Sequence, residues 1–257
     1  MRLLLRYLIT PILFVVIIYS LGTLPVLLFS SFLPFLNGRE YILIFILFVL
    51  FLRLWGERRW NQKNIWDGLG FTQFKNSLFN HTFQKELFKS FVIIFLWCLL
   101  LISGNFLRFK SVVNYSFLFD ILFTSIFVGL AEELLFRVWL FEELKLFLST
   151  NRAILLQSIL FSMVHPYNLD ESLTVNILLK IGLLLLGIYL NLLRINNYPN
   201  IFPSIAFHGG IVGYIFLAKS VLEVKGDYPS LIYGTQYEFF INPVSGLIGI
   251  FTLLVLN

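Results

Sequence analysis

Long apolar runs separated by short polar stretches dominate the pattern of the sequence. A helix needs about 20 apolar residues to cross the hydrocarbon core of a bilayer, and the sequence contains eight candidate runs. They cover roughly residues 8–34, 41–55, 90–109, 116–138, 152–165, 173–193, 201–219 and 239–256. A membrane β-barrel would instead show short segments of strict alternation. The pattern therefore predicts an all-α, polytopic membrane helix bundle of about eight transmembrane helices.

The first run also decides how the N-terminus is interpreted. It follows a basic start, but it is too long for a cleavable signal peptide and lacks a small-x-small cleavage site. We expect it to remain as a membrane helix. Gly22 and Pro25 lie inside it, which predicts a break near the glycine or a kink at the proline.

Composition supports a bilayer as the solvent of this chain. Hydrophobic residues make up 58% of the 257 residues and charged residues 13%, against about 25% charged in an average soluble protein. A single soluble core cannot hide so much apolar surface. With Cys98 as its one cysteine, the chain can form neither an internal disulfide nor a cysteine-rich zinc site.

The distribution of basic residues predicts the orientation. If the N-terminus is inside, 13 of the 19 lysines and arginines fall on the inner side, five fall outside, and Lys180 falls within a span. The positive-inside rule then places both termini in the cytoplasm. The inner stretch 56–89 mixes basic and aromatic residues, which favours an interfacial segment on an anionic membrane surface over a nucleic-acid patch. We predict two parts, residues 1–110 with this cytoplasmic loop and a membrane core over residues 111–257.

Three charges interrupt the fourth apolar run. Burying an ionisable group at bilayer depth costs at least about 2.5–3.5 kcal/mol. Glu133 and Arg137 are four residues apart and can pair on one helix face. An ordinary ion pair near the helix end, with Arg137 snorkelling to the inner interface, would explain those two. Glu132 points about 100° away and needs a partner from another helix.

Two histidines within other spans, His165 and His208, are the candidate partners. One carboxylate and two imidazoles suit a divalent metal such as zinc, with a fourth position open to water. Alternatively, a buried glutamate acts directly as a general base on water, and a histidine donates a hydrogen bond to the developing oxyanion. Both routes give hydrolysis inside the membrane, and the residues leave the choice open.

Three short segments resemble the motifs of one family. EELLFR at residues 132–137 resembles the EExxxR motif of the CPBP intramembrane proteases, also called type II CAAX prenyl proteases or Abi proteins. FSMVH at residues 161–165 resembles their FxxxH motif, and His208 resembles the histidine of their HxxxN or HxxxD motif. The similar portion runs from about Phe119 to Ala218. The resemblance implies an intramembrane metalloendopeptidase that cuts a membrane-embedded or lipid-anchored peptide or protein.

The resemblance also implies a role for each site residue. Glu132 would activate water or bind a metal, and Glu133 would support it. Arg137 would pair with a glutamate and hold the helix end. His165 and His208 would bind a metal or polarise the scissile carbonyl. Zinc is the preferred cofactor, and a metal-independent reaction is the alternative.

One position departs from the family pattern. Val212 stands where the third motif has asparagine or aspartate, and valine has no side-chain donor. Losing one oxyanion donor costs about 10²–10³ in rate. Ser204, or the backbone at Gly209 and Gly210, would be the substitute, and the two glycines would also permit close approach of a substrate or a neighbouring helix.

Two other functions therefore stand beside the protease. The first is a catalytically weakened member that acts as a membrane scaffold or immunity factor, which Val212 favours. The second is a proton-coupled transporter, which the confinement of the charges to the C-terminal half disfavours. The predicted location is a bacterial-type plasma membrane, with a thylakoid or plastid membrane as the alternative, and no nucleic-acid partner is expected. Asp120 and Lys180 are expected to snorkel, and with Asn191 they are left out of the site.

Overall fold

The computed structural model describes residues 9–29, 40–71, 76, 80–111, 117–167, 169 and 171–226, and these are mostly helical. The elements are α1 (Thr10–Phe29), α2 (Glu40–Arg59), α3 (Ile65–Gly68), α4 (His81–Ser103), β1 (Leu107–Phe109), α5 (Leu118–Glu132), a π-helical segment (Glu133–Leu140), α6 (Phe141–Lys145), α7 (Thr150–Val164), α8 (Leu173–Asn196), α9 (Phe202–Val221) and β2 (Leu222–Val224).

Four of these helices are long and apolar enough to cross a membrane. They are α1 over Thr10–Leu28, α4, α8 and α9. The predicted spans at 41–55 and 152–165 are present as helices α2 and α7, although neither is among the four. The last predicted span, 239–256, lies outside the described residues. The helices indicate an integral membrane protein of mainly α structure, while the total of eight spans and the orientation stay predictions.

The predicted break near Gly22 is wrong, because α1 continues through both Gly22 and Pro25. Gly22 instead lets α1 approach α2 closely. A Cβ atom on Gly22 would lie 2.4 Å from the side chain of Ile44 and 2.9 Å from its backbone. The missing side chain therefore serves helix packing rather than helix termination.

Helix α9 lies between α4 and α5, and its two adjacent glycines make this possible. A Cβ on Gly210 would lie 2.1 Å from the hydroxyl of Ser90 in α4, and a Cβ on Gly209 would lie 2.7 Å from the carbonyl oxygen of Ser125 in α5. The expectation that these glycines admit a neighbouring helix is therefore confirmed. Strands β1 and β2 pair antiparallel directly beyond α4 and α9, which places the carboxyl ends of both helices together.

One helical stretch, from α5 through the π-helical segment to α6, carries the charged motif. The backbone stays helical at both junctions, so the stretch continues to Lys145. π-helical turns are rare and frequently mark functional sites. The sequence places Arg137 close to a helix end at residue 138, whereas the structure places it in the interior and fully buried. Snorkelling of Arg137 to the inner interface is therefore wrong.

The π-helical segment is buried because two apolar clusters enclose it. Leu134, Val138 and Trp139 pack into one cluster with residues of α1, α2 and α3. Phe136 packs on the other side, into a cluster built by α4, α7, α8 and α9. The apolar residues around Arg137 thus hold its charge inside the bundle. The division into residues 1–110 and 111–257 stays a prediction, although helices from both parts share these clusters.

Candidate active site

The structure brings together the five side chains that the sequence selected. Glu132 ends α5, His165 follows the last turn of α7, and His208 lies in α9. Oε2 of Glu132 lies 3.7 Å from Nε2 of His208 and 4.0 Å from Nε2 of His165. Helices remote in sequence therefore converge on one carboxylate.

Glu133 and Arg137 form a fully buried pair directly behind this point. Oε1 of Glu133 lies 3.2 Å from Nη1 of Arg137 and 2.9 Å from Nδ1 of His208. The guanidinium carbon of Arg137 lies 4.2 Å from the centre of the Phe161 ring. Within the described part of the chain, none of the guanidinium nitrogens has a hydrogen-bond partner. The ion pair and a cation–π contact therefore stabilise this buried charge, so Phe161 contributes more than packing.

The partners of the two Nδ1 atoms define the tautomers of the histidines. Nδ1 of His165 lies 2.8 Å from the carbonyl oxygen of Phe161, and a carbonyl can only accept a hydrogen bond. Nδ1 of His208 faces the Glu133 carboxylate, which also accepts. For each ring in its neutral form, we therefore assign the proton to Nδ1. Each Nε2 then presents a lone pair toward Glu132.

Glu132 thus faces acceptors rather than donors. Its Oε2 is buried, without a hydrogen-bond partner among the described residues, and its nearest polar neighbours are the two Nε2 atoms. A carboxylate oxygen and two imidazole lone pairs directed at one point repel each other unless a proton or a cation lies between them. The arrangement is suited to taking up a proton or to binding a cation.

The chemistry of this donor set fits a zinc ion. Glu132, His165 and His208 supply oxygen and nitrogen ligands, and the Nδ1 contacts resemble the outer contacts that orient metal-binding histidines. The separations of 3.7 and 4.0 Å exceed the spacing of about 3.4 Å between two ligands of a tetrahedral zinc. The described residues contain no group of three or more histidine, cysteine, aspartate or glutamate side chains already arranged as ligands, so binding would draw these three inward.

Comparison with known proteins finds one family that part of the chain resembles. The family model described as Type II CAAX prenyl endopeptidase Rce1-like matches residues 114–213. Residues 114–213, under half of the chain, are therefore similar to this family. The match includes all five site residues and confirms the resemblance to the CPBP and CAAX proteases. No curated protein and no solved structure matches the chain.

An apolar groove leads to Glu132 from outside the Rce1-like region. It has a volume of about 290 Å³ and lies between α1, α2 and α5. Its lining includes Phe14, Phe45, Phe127 and Leu135. Among the described residues that line it, Glu132 is the one that carries a charge. The Glu132 side chain is 30% exposed, whereas that of His208 is 5% exposed. The Glu132 side chain is therefore accessible from an apolar space built largely by the first two helices.

The groups that the sequence analysis offered as substitutes for the side-chain donor absent at Val212 have other hydrogen-bond partners in the structure. The Ser204 hydroxyl is fully buried and donates to the carbonyl oxygen of Leu190 at 3.3 Å. Gly209 and Gly210 are interior residues of α9, so their N–H groups bond within the helix. Val212 lies half-buried one turn beyond His208. Among the described residues, none of these groups is thus an evident substitute for the donor that Val212 lacks.

Two polar residues of α8 have roles that the sequence analysis missed. Nζ of Lys180 donates to the carbonyl oxygens of Ser162, at 3.0 Å, and of His165 at the end of α7. Asn191 is fully buried and donates to Gln157 and Ser158 in the middle of α7. A lysine and an asparagine within one apolar run were the available signal. Asp120, by contrast, is exposed at the start of α5.

Proposed function

We propose that the chain is an intramembrane endopeptidase of the CAAX protease type, in which Glu132 activates the attacking water. The observation that carries this proposal is the environment of the Glu132 carboxylate. Its Oε2 faces the Nε2 atoms of His165 and His208 and borders an apolar groove. A carboxylate with acceptors around it and access to a groove is placed to receive a proton from water.

The proposed reaction is a water addition in which the proton balance is closed. Glu132 takes a proton from water as the water oxygen attacks the scissile carbonyl carbon. The same proton then passes to the amide nitrogen as the C–N bond breaks, which restores the carboxylate. The acyl product keeps the water oxygen, and the amine leaves. A general base of this kind contributes about 10²–10⁴ in rate.

The histidines and the buried ion pair orient this chemistry. Glu133 holds Nδ1 of His208, so that Nε2 is directed at the reaction centre, and Arg137 compensates the charge of Glu133. A zinc ion bound by Glu132, His165 and His208 would supply Lewis-acid activation of the water. Without a metal, an imidazole that carries a second proton would donate from Nε2 to the oxyanion.

The groove supports a substrate that arrives from the membrane. Its lining is aliphatic and aromatic, so a peptide with apolar side chains near the scissile bond would leave the bilayer without losing its apolar surroundings. The substrate we propose is a membrane-embedded or lipid-anchored peptide or protein. The proposed location is a bacterial-type plasma membrane.

A second candidate function follows from Val212. A family member without the motif asparagine or aspartate, and with Ser204 bonded to Leu190, lacks an evident side-chain donor for the oxyanion. Such a chain would bind a membrane partner without cutting it, as a scaffold or an immunity factor.

Cleavage by the purified protein distinguishes the two functions. The protein is placed in liposomes with a library of quenched-fluorescence peptides, and wild type, Glu132→Gln and Val212→Asn are compared with and without a chelator. Cleavage by wild type that Glu132→Gln abolishes supports the endopeptidase. Cleavage by Val212→Asn alone supports a weakened member, and silence from all three supports the scaffold.

A further inference from the structure

The carboxyl end of α7 places a site residue where the helix stops. The backbone of His165 is extended, with φ −69° and ψ 133°, and Pro166 follows it. The last carbonyl groups of a helix have no partner within the helix and need donors from elsewhere. The carbonyl oxygen of Phe161 accepts from the His165 ring itself. The carbonyl oxygens of Ser162 and His165 need another donor.

Lys180 supplies that donor from the neighbouring helix. Its Nζ lies 3.0 Å from the carbonyl oxygen of Ser162 and also contacts the carbonyl oxygen of His165. The Ser162 hydroxyl donates in return to the backbone carbonyl of Lys180, at 2.7 Å. The ammonium group also lies 4.7 Å from the centre of the ring of Tyr167, the residue that follows Pro166 in the sequence. One lysine therefore joins the last turn of α7, the His165 backbone and the segment that follows.

We propose that Lys180 is a positioning residue that fixes the backbone of His165 and so directs Nε2 of His165 at Glu132. The proposal rests on the proposed function for its effect on activity. It assigns Lys180 no contact with substrate. Because the His165 ring bonds back to Phe161 within the same turn, a shift of that turn moves the ring with it.

The face of α8 toward α7 supports this role. Lys180, Gly187 and Asn191 lie within about 40° of one another around an α-helix. Gly187 lets the two helices touch, since a Cβ there would lie 3.0 Å from Cβ of Ser158. Asn191 bonds to Ser158 at 3.2 Å one level further along. Helix α8 therefore contacts α7 at two points along its length, and the contact made by Lys180 is the one nearest the site.

Kinetics of two substitutions at Lys180 test the proposal. Lys180→Met keeps the length of the side chain, removes its donors and suits an apolar helix, whereas Lys180→Arg keeps charge and donors. Lys145→Met is the matched control, because Lys145 pairs with Glu142 on an exposed part of α6. We expect Lys180→Met to lower kcat about 10- to 100-fold with KM within about twofold, because misplacement of a catalytic group acts on kcat. Lys180→Arg should recover most of kcat, and Lys145→Met should leave it unchanged.

Chemical modification of the histidines gives a second readout that needs no activity. The chain has three histidines, of which His81 is exposed, His165 half-buried and His208 buried. Diethyl pyrocarbonate labelling followed by mass spectrometry measures a rate for each ring. In Lys180→Met we expect the His165 rate to rise severalfold toward that of His81, with the His208 rate unchanged.

The outcomes separate this proposal from the proposed function. A wild-type protein that cleaves nothing overturns the endopeptidase, while the labelling rates still decide the role of Lys180. An unchanged His165 rate in Lys180→Met overturns the positioning role, whatever the activity. A parallel rise at His208 also overturns it, because the bundle as a whole would then have loosened.

Discussion

Two glutamates, Glu132 and Glu143, lie eleven residues apart on the same helical stretch and have opposite surroundings. The Glu143 carboxylate accepts from Nε of Arg59 at 2.7 Å and from the indole nitrogens of Trp55 and Trp60 at 2.8 and 2.9 Å. The Glu132 carboxylate faces two imidazole Nε2 atoms at 3.7 and 4.0 Å. A carboxylate with a full set of donors holds helices together, whereas one that faces acceptors is placed to take a proton. The hydrogen-bonding groups around each carboxylate therefore distinguish the two roles.

The largest expected effect is on activity, at Glu132. We expect Glu132→Gln to lower kcat/KM about 10³-fold, because an amide cannot take a proton from water. The melting temperature should hold or rise, since the new NH₂ group can donate to an Nε2 lone pair. Peptide cleavage and thermal unfolding in the same detergent measure both. Full activity in this variant would contradict the assignment of Glu132 as the base.

At Glu143 we expect a substitution to lower stability rather than activity. Glu143→Ala leaves Arg59 and two indoles without their shared acceptor, and breaking a buried pair costs about 3–5 kcal/mol. We expect a loss of stability of that order, measured by unfolding in mixed micelles, with kcat of the remaining folded protein within about threefold of wild type. The exposed pair Arg53–Glu57 provides the control, since Glu57→Ala should change stability by less than about 1 kcal/mol. Equal losses of stability in Glu143→Ala and Glu57→Ala would contradict a structural role for Glu143.

The sequence predicted much of this arrangement, and its failures have a physical cause. Charges within apolar runs are costly, so Glu132, Glu133, His165 and His208 stood out, and the structure brings them together. The end of the helix at Arg137 was misplaced, because burial of the following residues depends on packing against α1 and α2.

The contacts of α8 were missed for a related reason. Lys180 has the same appearance in sequence whether it extends to an interface or bonds to α7. Helix spacing defines which residues share a face, but not which neighbouring helix that face meets. The choice depends on close contacts such as Gly187 against Ser158, which only the assembled bundle reveals.

A smaller effect, on kcat, is expected from placing a side-chain hydrogen-bond donor at position 212. Val212 lies one turn beyond His208, so Val212→Asn would place an amide on the same side of α9. We expect kcat to rise about tenfold, below the full value of an oxyanion donor, because the surrounding side chains are not adapted to it. Val212→Leu is the control for volume. An unchanged kcat in Val212→Asn would mean that the oxyanion forms elsewhere.

The smallest expected effect concerns the ring beneath Arg137. The guanidinium carbon lies 4.2 Å from the centre of the Phe161 ring, and a desolvated cation–π contact contributes about 2 kcal/mol. Phe161→Leu keeps an apolar side chain and removes the π face, so we expect a loss of about 1–2 kcal/mol in the free energy of unfolding. Phe207→Leu is the matched control, because Phe207 is equally buried and packs on Tyr189. A Glu133→Gln background sharpens the comparison, since the cation then has less compensation and the ring should matter more. If Phe161→Leu costs no more than Phe207→Leu in both backgrounds, the ring only packs, and the Glu133–Arg137 pair alone holds the charge behind the site.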